Sequence, residues 1–491
     1  MTLQVLVIET PGLGDRGYVV HDGEVALVVD PQRDTDRVEH VLDSHGLAVT
    51  HVVETHIHND YVTGGFQLAA ARGAQYVVPG GVELAYLEQP NVRAVQDGDT
   101  LTVGSMRVQV LHTPGHTPHH VSYAVQIGDE PGVVFTGGSL LYGTVGRPDL
   151  VAPELTVRQA HDQWHSAHRL VADLDERTAI FPTHGFGSFC SSIQAAGAET
   201  SLGEERSTNP ALTQAEEDFV EVLLAGLDVF PAYYAHMGPA NAAGPAPVDL
   251  SQPAVADPSE IRRRIDAGEW VVDLRSRAVF DGAHVPGALN FDLAGSFVSY
   301  LGWLIPWGTP ITLLGETSEQ VETAQRELVR IGIDRPVGQA VGEPGQWLES
   351  HTEPARTRRV TFEQLALEWS DNPSAAVIDT RQILEWQSGH VEGAVFLPFY
   401  EVPDRMDEIP RDVDVYVYCG SGYRASVVVS LLQNHGFTNV VHVDDLFANA
   451  GRSLAIVPGA SATREPGWTW VASRASVRTF QADGARSPRL A

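Results

Sequence analysis

The sequence predicts a multi-domain α/β protein, and three observations predict it. At 491 residues the chain is too long for one ordinary hydrophobic core, so two to four domains are expected. Short apolar runs bounded by Gly/Asp turns alternate with stretches of helical spacing as far as His184. Beyond residue 258 the chain repeats itself. Val271-Val272-Asp273-Leu274-Arg275 returns as Val377-Ile378-Asp379-Thr380-Arg381, and His284-Val285-Pro286-Gly287-Ala288 as His390-Val391-Glu392-Gly393-Ala394. Both pairs are offset by 106 residues (377 − 271 and 390 − 284). Strand–turn–helix patterns at that period indicate two copies of one α/β domain.

Composition bounds the partners. The chain is 43% hydrophobic and 19% charged, as a soluble globular protein is, and its formal charge is −31 with no lysine at all. Such a surface repels nucleic acid and anionic membrane, so neither is expected as a partner. The N-terminus lacks the basic and apolar regions of a signal peptide, and no run of about 18 apolar residues could span a bilayer. Two cysteines argue for a reducing compartment, hence a cytoplasmic location, and leave both thiols free for chemistry.

In chain order, Gln4-Val5-Leu6-Val7-Ile8, Tyr18-Val19-Val20 and Val25-Ala26-Leu27-Val28-Val29 read as antiparallel strands, and residues 37–47 as a helix. Residues 156–174 read as a helix carrying His161, His165 and His168 on one side. That spacing reads as an amphipathic face rather than a metal site. Residues 1–237 form the first domain, and 238–257, rich in Pro, Ala and Gly, read as a linker. The two repeats occupy 258–350 and 358–453. A tail, 454–491, carries Trp468 and Trp470, which could dock locally.

Two stretches carry chemistry. Thr55-His56-Ile57-His58-Asn59-Asp60-Tyr61 places two imidazoles and a carboxylate within five residues, delivered by an apolar strand ending at Val53. In extended chain, alternate side chains share a face, so His56 and His58 are expected to point the same way. Thr113-Pro114-Gly115-His116-Thr117 adds a third imidazole from a loop that follows a second apolar strand. Three convergent histidines hold a borderline cation with an open position; the alternative is ordinary loop histidines. The second stretch is Val415-Tyr416-Val417-Tyr418-Cys419-Gly420-Ser421-Gly422-Tyr423-Arg424. A strand ends at Cys419, a Gly-rich loop follows, and a helix begins near Arg424. Inward N–H groups of such a loop and the helix N-terminus favour an anionic sulfur. The alternative is a buried cysteine that merely ends a core strand.

His-x-His-x-Asp with Thr-Pro-Gly-His resembles the metallo-β-lactamase superfamily, which implies an αββα sandwich for the first domain. Two positions depart from its pattern. Tyr61 stands where dinuclear hydrolases have His, and in Phe135-Thr136-Gly137-Gly138-Ser139-Leu140 residue Gly138 stands where a bridging Asp is expected. The resemblance therefore implies one metal rather than two. Asp379-x-Arg381, the His390 to Ala394 segment and the Cys-x4-Arg loop resemble a rhodanese domain. That likeness makes Cys419 the residue that carries sulfane sulfur, with Arg424 beside it. Gly420, Ser421, Gly422, Tyr423, Asp379 and Arg381 then form the persulfide site. The first copy reads Ile311-Thr312-Leu313-Leu314-Gly315-Glu316-Thr317 at the corresponding place, with no Cys, and resembles an inactive rhodanese homology domain.

Together the parts resemble the fused persulfide dioxygenase–sulfurtransferases. Gly146-Arg147-Pro148-Asp149-Leu150, Pro182-Thr183-His184-Gly185 and Cys190 also belong to that likeness. It implies one ferrous ion, with zinc as the alternative, on His56 and His116. The family's Asp maps onto Gly138, leaving a gap that His58 or water fills. Asp60 and His184 are further candidates at the metal or its edge. Arg147 and Cys190 are implied to lie near substrate, with an inert buried Cys190 equally open. The expected partners are a low-molecular-weight thiol persulfide and sulfite or thiosulfate, in an assembly larger than a monomer. Three functions follow: persulfide oxidation to sulfite coupled to sulfur transfer through Cys419; sulfur transfer with an inactive metal domain; and glyoxalase II-like thioester hydrolysis.

Overall fold

Alternation of apolar and polar residues builds two facing sheets in the N-terminal part of the chain. The computed structural model describes residues 2–191 and 199–459; Trp468 and Trp470 lie outside them. One sheet has six strands in sequence order: Gln4–Thr10, Asp15–His21, Val25–Val29, Ala48–Val53, Gln75–Pro79 and Val92–Val95. The first three are antiparallel and the rest parallel. The other has five, in the order Ala179–Pro182, Val133–Gly137, Val121–Gln126, Met106–His112, Thr100–Val103. Tyr18, Val20, Leu27 and Val29 meet Val108, Val110, Tyr123 and Phe135 between the sheets. The opposite side chains of the first sheet, Val19, Val28 and Val52, pack with Val38 and Leu42 of helix Asp36–His45. Those of the second, Leu111, Val134 and Ile180, pack with Ala160, Ala167 and Leu170 of helix Thr156–Asp173. The period-2 alternation of the strands thus produces the four αββα layers.

The three histidines of helix Thr156–Asp173 form a polar face, as its spacing predicts. His161 Nδ1 and His165 Nε2 share Glu216 Oε1 at 2.8 and 3.1 Å, and His168 stacks on Trp164 at 3.6 Å. The stretch 238–257 differs from a free linker. Helix Tyr234–Ala243 runs into it, favoured by its alanines despite Pro239. Carbonyls beyond the helix have no ladder partner and take side-chain donors instead. Gln67 Nε2 donates to Pro245 O at 2.7 Å, Arg33 to Ala246 O at 3.0 Å and Gln325 to Ser251 O at 2.9 Å. All of these lie in one compact unit, which gathers the chain up to Gln252 with Gly295–Gly308 and Glu322–Pro336.

A second unit gathers Pro253–Ala294, Thr309–Val321 and the chain from Val337. It holds two parallel sheets. The first has the order Leu289–Asn290, Trp270–Asp273, Ile311–Gly315, Gly338–Val341. The second runs Arg358–Val360, Val440–Val443, Val415–Tyr418, Ala376–Asp379, Val395–Phe396. The 106-residue offset carries into the structure. It relates Trp270–Asp273 to Ala376–Asp379, helix Arg277–Gly282 to Ile383–Ser388, and Leu289–Asn290 to Val395–Phe396.

Candidate metal centre and sulfur site

Asp30 organises the histidine loop. Strand Ala48–Val53 ends just before it, and Asp30, at a φ of 49° that an L-residue rarely adopts, turns its carboxylate toward the strand end. Thr55 gives Asp30 both its backbone N–H and its hydroxyl, each at 2.7 Å, and the Thr183 hydroxyl adds a third bond at 2.5 Å. Far along the chain, buried Asn241 clamps the other end of the loop. Its amide donates to His58 O and Tyr61 O, both at 2.9 Å, and its Oδ1 accepts from Thr63 N at 2.9 Å.

His56, His116 and His184 bring their ligating atoms together in the buried interior. Each presents Nε2 because its Nδ1 is already engaged. The Thr55 hydroxyl donates to Asp30, so its oxygen accepts from His56 Nδ1 at 2.9 Å. His116 Nδ1 donates to the Arg147 carbonyl at 2.8 Å, leaving its buried Nε2 with no hydrogen-bond partner among the described residues. His184 Nδ1 donates to Asp15 at 2.8 Å, with Asp60 at 3.2 Å, and its Nε2 lies 3.3 Å from that of His56. Oxygen acceptors behind each imidazole fix its tautomer and raise its basicity toward a cation. Burial depresses His116 to about 3, and burial with the neighbouring imidazoles holds His56 far below the usual histidine range. Burial also works against charge on His184, but Asp60 and Asp15 outweigh it and raise that ring to about 10. An orphaned Nε2, a neutral one and one backed by two carboxylates fit one divalent cation.

The sequence expectation placed His58 among the ligands and His184 at the edge; in the structure His184 converges with His56 and His116, and His58 lies in two neighbouring groups, with Asp60 and His184 and with Asp30 and Glu54. The chain leaves the strand at Val53, so strict alternation no longer governs residues 54–58. His58 Nε2 faces Tyr61 Oη at 2.9 Å, Glu54 at 3.3 Å and Asp30 at 3.4 Å. Burial opposes a charge on this ring, yet Asp30 and Glu54 raise it to about 9. Tyr61, in place of a second metal's histidine, offers its oxygen to His58 Nε2 at 2.9 Å and its proton to the Asp30 carbonyl at 3.3 Å. Asp60 lies with His184 and His58 in an overlapping cluster and supports His184.

No gap lies beside Gly138. A side chain there would enter the ring of His116, with Cβ 2.7 Å from Nε2. The imidazole fills the room where the family's carboxylate was expected. Arg147 is buried on Asp149 (2.7 Å) and the Phe189 carbonyl (3.3 Å), and its own carbonyl orients His116. Cys190 Sγ lies 3.7 Å from Tyr234 Oη, and burial, with the charges of Asp60 and Asp15, pushes its thiol far above the usual range.

In the second unit, Val415–Tyr418 ends at buried Cys419, and helix Tyr423–Asn434 starts after Gly422 at φ 89°. The N–H of Gly422 donates to Cys419 Sγ at 3.2 Å. A Cβ on Gly422 would strike Asp444 as well as strain the backbone. Arg424 makes a two-pronged pair with Glu385 at the loop, one prong 2.8 Å long. Tyr423 Oη turns to the Asp292 carbonyl at 2.7 Å. Gly420 and Ser421 complete the loop. Asp379 and Arg381, expected beside the sulfur, are spent on one another and on the Gly389 carbonyl. Asp273 and Arg275 make the same pair, with the Ala283 carbonyl, in the copy that has no cysteine. A pair present in both copies serves the scaffold.

Comparison with known proteins agrees with both halves. Residues 16–184 match the Metallo-beta-lactamase superfamily and residues 363–447 the Rhodanese-like domain. A hydroxyacylglutathione hydrolase of Maricaulis maris is 31% identical over 188 residues, 37% of this chain and 67% of that one. The mitochondrial persulfide dioxygenase ETHE1 of Homo sapiens is 28% identical over 244 residues, 49% of this chain and 80% of that one. A metallo-beta-lactamase structure from Staphylococcus aureus superposes with a TM-score of 0.62 at 28% identity. It covers 70% of this chain and 100% of its own. With three buried imidazoles converging in an αββα sandwich, and a cysteine loop in the rhodanese-like segment, the chain belongs to the metallo-β-lactamase superfamily and carries a rhodanese-like domain C-terminal to that fold.

Proposed function

We propose that the chain oxidises and transfers persulfide sulfur. At the N-terminal site a thiol persulfide, dioxygen and water give the thiol, sulfite and two protons. At the second site Cys419 exchanges sulfane sulfur among persulfide, sulfite and thiosulfate. The observation that carries this reading is the presence, in one chain, of three converging Nε2 atoms and a Gly-rich loop that gives an N–H to a cysteine sulfur. The likeness to persulfide dioxygenases supports it.

His56, His116 and His184 would hold one cation, iron(II) in this reading, which supplies Lewis acidity and redox chemistry toward dioxygen. The protein's own part is preparation. Thr55, the Arg147 carbonyl and the Asp15–Asp60 pair orient the three rings. Burial and the charge of Asp60 raise Asp15, which stays on His184 Nδ1 and leaves Nε2 for the cation. Burial keeps bulk water from the site. At Cys419 the sulfur attacks the outer sulfur of thiosulfate, an S–S bond forms, the S–S bond of thiosulfate breaks, and sulfite leaves with the electron pair. Residues 258–350 act here as a rhodanese-type copy without a nucleophile.

Intact mass after exposure to thiosulfate tests the second site: Cys419 should gain one sulfur atom as sulfite appears, and Cys419→Ser should gain none. A second reading, sulfur transfer with a metal domain that oxidises nothing, is favoured by Gly138 alone. Sulfite released from a persulfide by Cys419→Ser under air separates the two. Thioester hydrolysis has less support, because Tyr61 is committed to His58 and offers no ligand to a second metal.

A further inference from the structure

The Cys419 loop turns the Gly422 N–H to the sulfur, and the loop's carbonyls each need a donor elsewhere. Three consecutive carbonyls find one. Gly420 O accepts from the Phe447 backbone at 2.9 Å. Ser421 O accepts from Arg277 Nη2 at 3.2 Å, and Gly422 O from His442 Nε2 at 2.9 Å as well as from the Ser426 N–H of its own helix at 2.9 Å. Two of these donors, Arg277 and His442, depend on one short helix, Arg277–Gly282, which belongs to the copy without a cysteine. Arg277 is its first residue and is anchored by Asp444 at 2.7 Å. Asp281 holds His442 Nδ1 at 2.7 Å. His442 is wholly buried between a carboxylate and a carbonyl, and since a carbonyl only accepts, Nε2 donates to Gly422 O.

The matching helix of the other copy, Ile383–Ser388, holds Glu385, which takes Arg424 instead. One copy of the repeated helix therefore holds the loop's cation, and the other holds the backs of its peptides. Arg275–Asp273 shows that the cysteine-free copy keeps its scaffold, and Asn290, which accepts from Ser426 at 2.6 Å, ties it to the loop helix.

We propose that Arg277 and the Asp281–His442 pair are positioning residues of the sulfur site. By holding the Ser421 carbonyl outward Arg277 keeps the N–H of the same peptide, that of Gly422, on Cys419 sulfur, while His442 braces the next carbonyl, and this is what the cysteine-free copy contributes. The inference rests on the reading of Cys419 as the sulfur carrier.

The test is the rate of iodoacetamide alkylation of Cys419 against pH in the full chain, with Cys190→Ser as common background. Melting temperature and thiosulfate:cyanide transfer are followed alongside. Asp281→Asn and Arg277→Gln should move the alkylation profile to higher pH and slow transfer about tenfold through kcat, the scale of one lost charge-assisted hydrogen bond. Arg262→Gln, in the same copy and paired with exposed Asp266, should change neither. Arg277 is 31% exposed, so its variant should fold even if Asp281→Asn does not. An Arg277→Gln profile identical to the parent's overturns the proposal. Transfer retained by Cys419→Ser overturns instead the reading beneath it.

Discussion

Gly138 lies against the imidazole of His116 so closely that a Cβ would stand 2.7 Å from Nε2. The missing carboxylate is therefore not a gap to be refilled. The ring has taken its place, and His184 supplies the third donor.

Gly138→Ala should push His116 off its position. We expect a loss of about 1–3 kcal/mol of stability, the usual range for overpacking, together with lower metal stoichiometry. Gly138→Asp should do the same rather than restore a ligand. Elemental analysis and thermal melting check both, and a metal content raised by Asp would contradict the arrangement.

His184→Ala and His58→Gln should separate the two roles. The first removes a donor and should weaken metal binding by about 10–100-fold or more. The second should leave a bound metal in place, because His58 Nε2 faces Asp30, Glu54 and Tyr61. Chelator competition on the two variants reads the difference.

The His58 interaction sets a pH dependence in the metal-free protein. Burial lowers the ring's proton affinity, but Asp30 and Glu54 raise it to about 9. A folded value above the unfolded one, about 6.5, means the stabilisation is complete below pH about 6.5 and is lost as pH rises through about 9. The stability difference between parent and His58→Gln should therefore shrink across that window. A difference independent of pH from 6 to 10 would count against a charged His58.

Asn241→Ala should cost about 1–3 kcal/mol, since it strands Thr63 N–H and two loop carbonyls in the interior. Metal affinity should fall with it, because the loop that Asn241 clamps also carries His56 and Asp60, which backs His184. Urea denaturation and metal titration of the variant check this together.

Much of the fold was legible because it is local. Period-2 strands, the helical histidine spacing and the 106-residue repeat each leave a mark within a few residues, and the structure follows them. The His-x-His-x-Asp and Cys-x4-Arg motifs located both sites for the same reason. What surrounds them was not legible. Asp15, Asp30 and Asn241 reach the histidines from other elements, and no local pattern distinguishes Asn241 within an Ala/Pro/Gly-rich stretch. That His184 rather than His58 joins His56 and His116 was not legible, because a ring's orientation depends on what occupies its second nitrogen. Asp379 and Arg381 looked functional beside a cysteine motif. In the structure they pair with one another, as Arg275 and Asp273 do in the cysteine-free copy.

Oxygen consumption by anaerobically iron-loaded protein given a small-molecule persulfide tests the central claim most directly, with Cys419→Ser and His184→Ala run alongside. The account predicts oxygen uptake with sulfite formation in the parent and in Cys419→Ser, and little in His184→Ala. No uptake by the fully loaded parent, with sulfur transfer through Cys419 intact, would contradict it and leave a sulfurtransferase whose three-histidine site does other work.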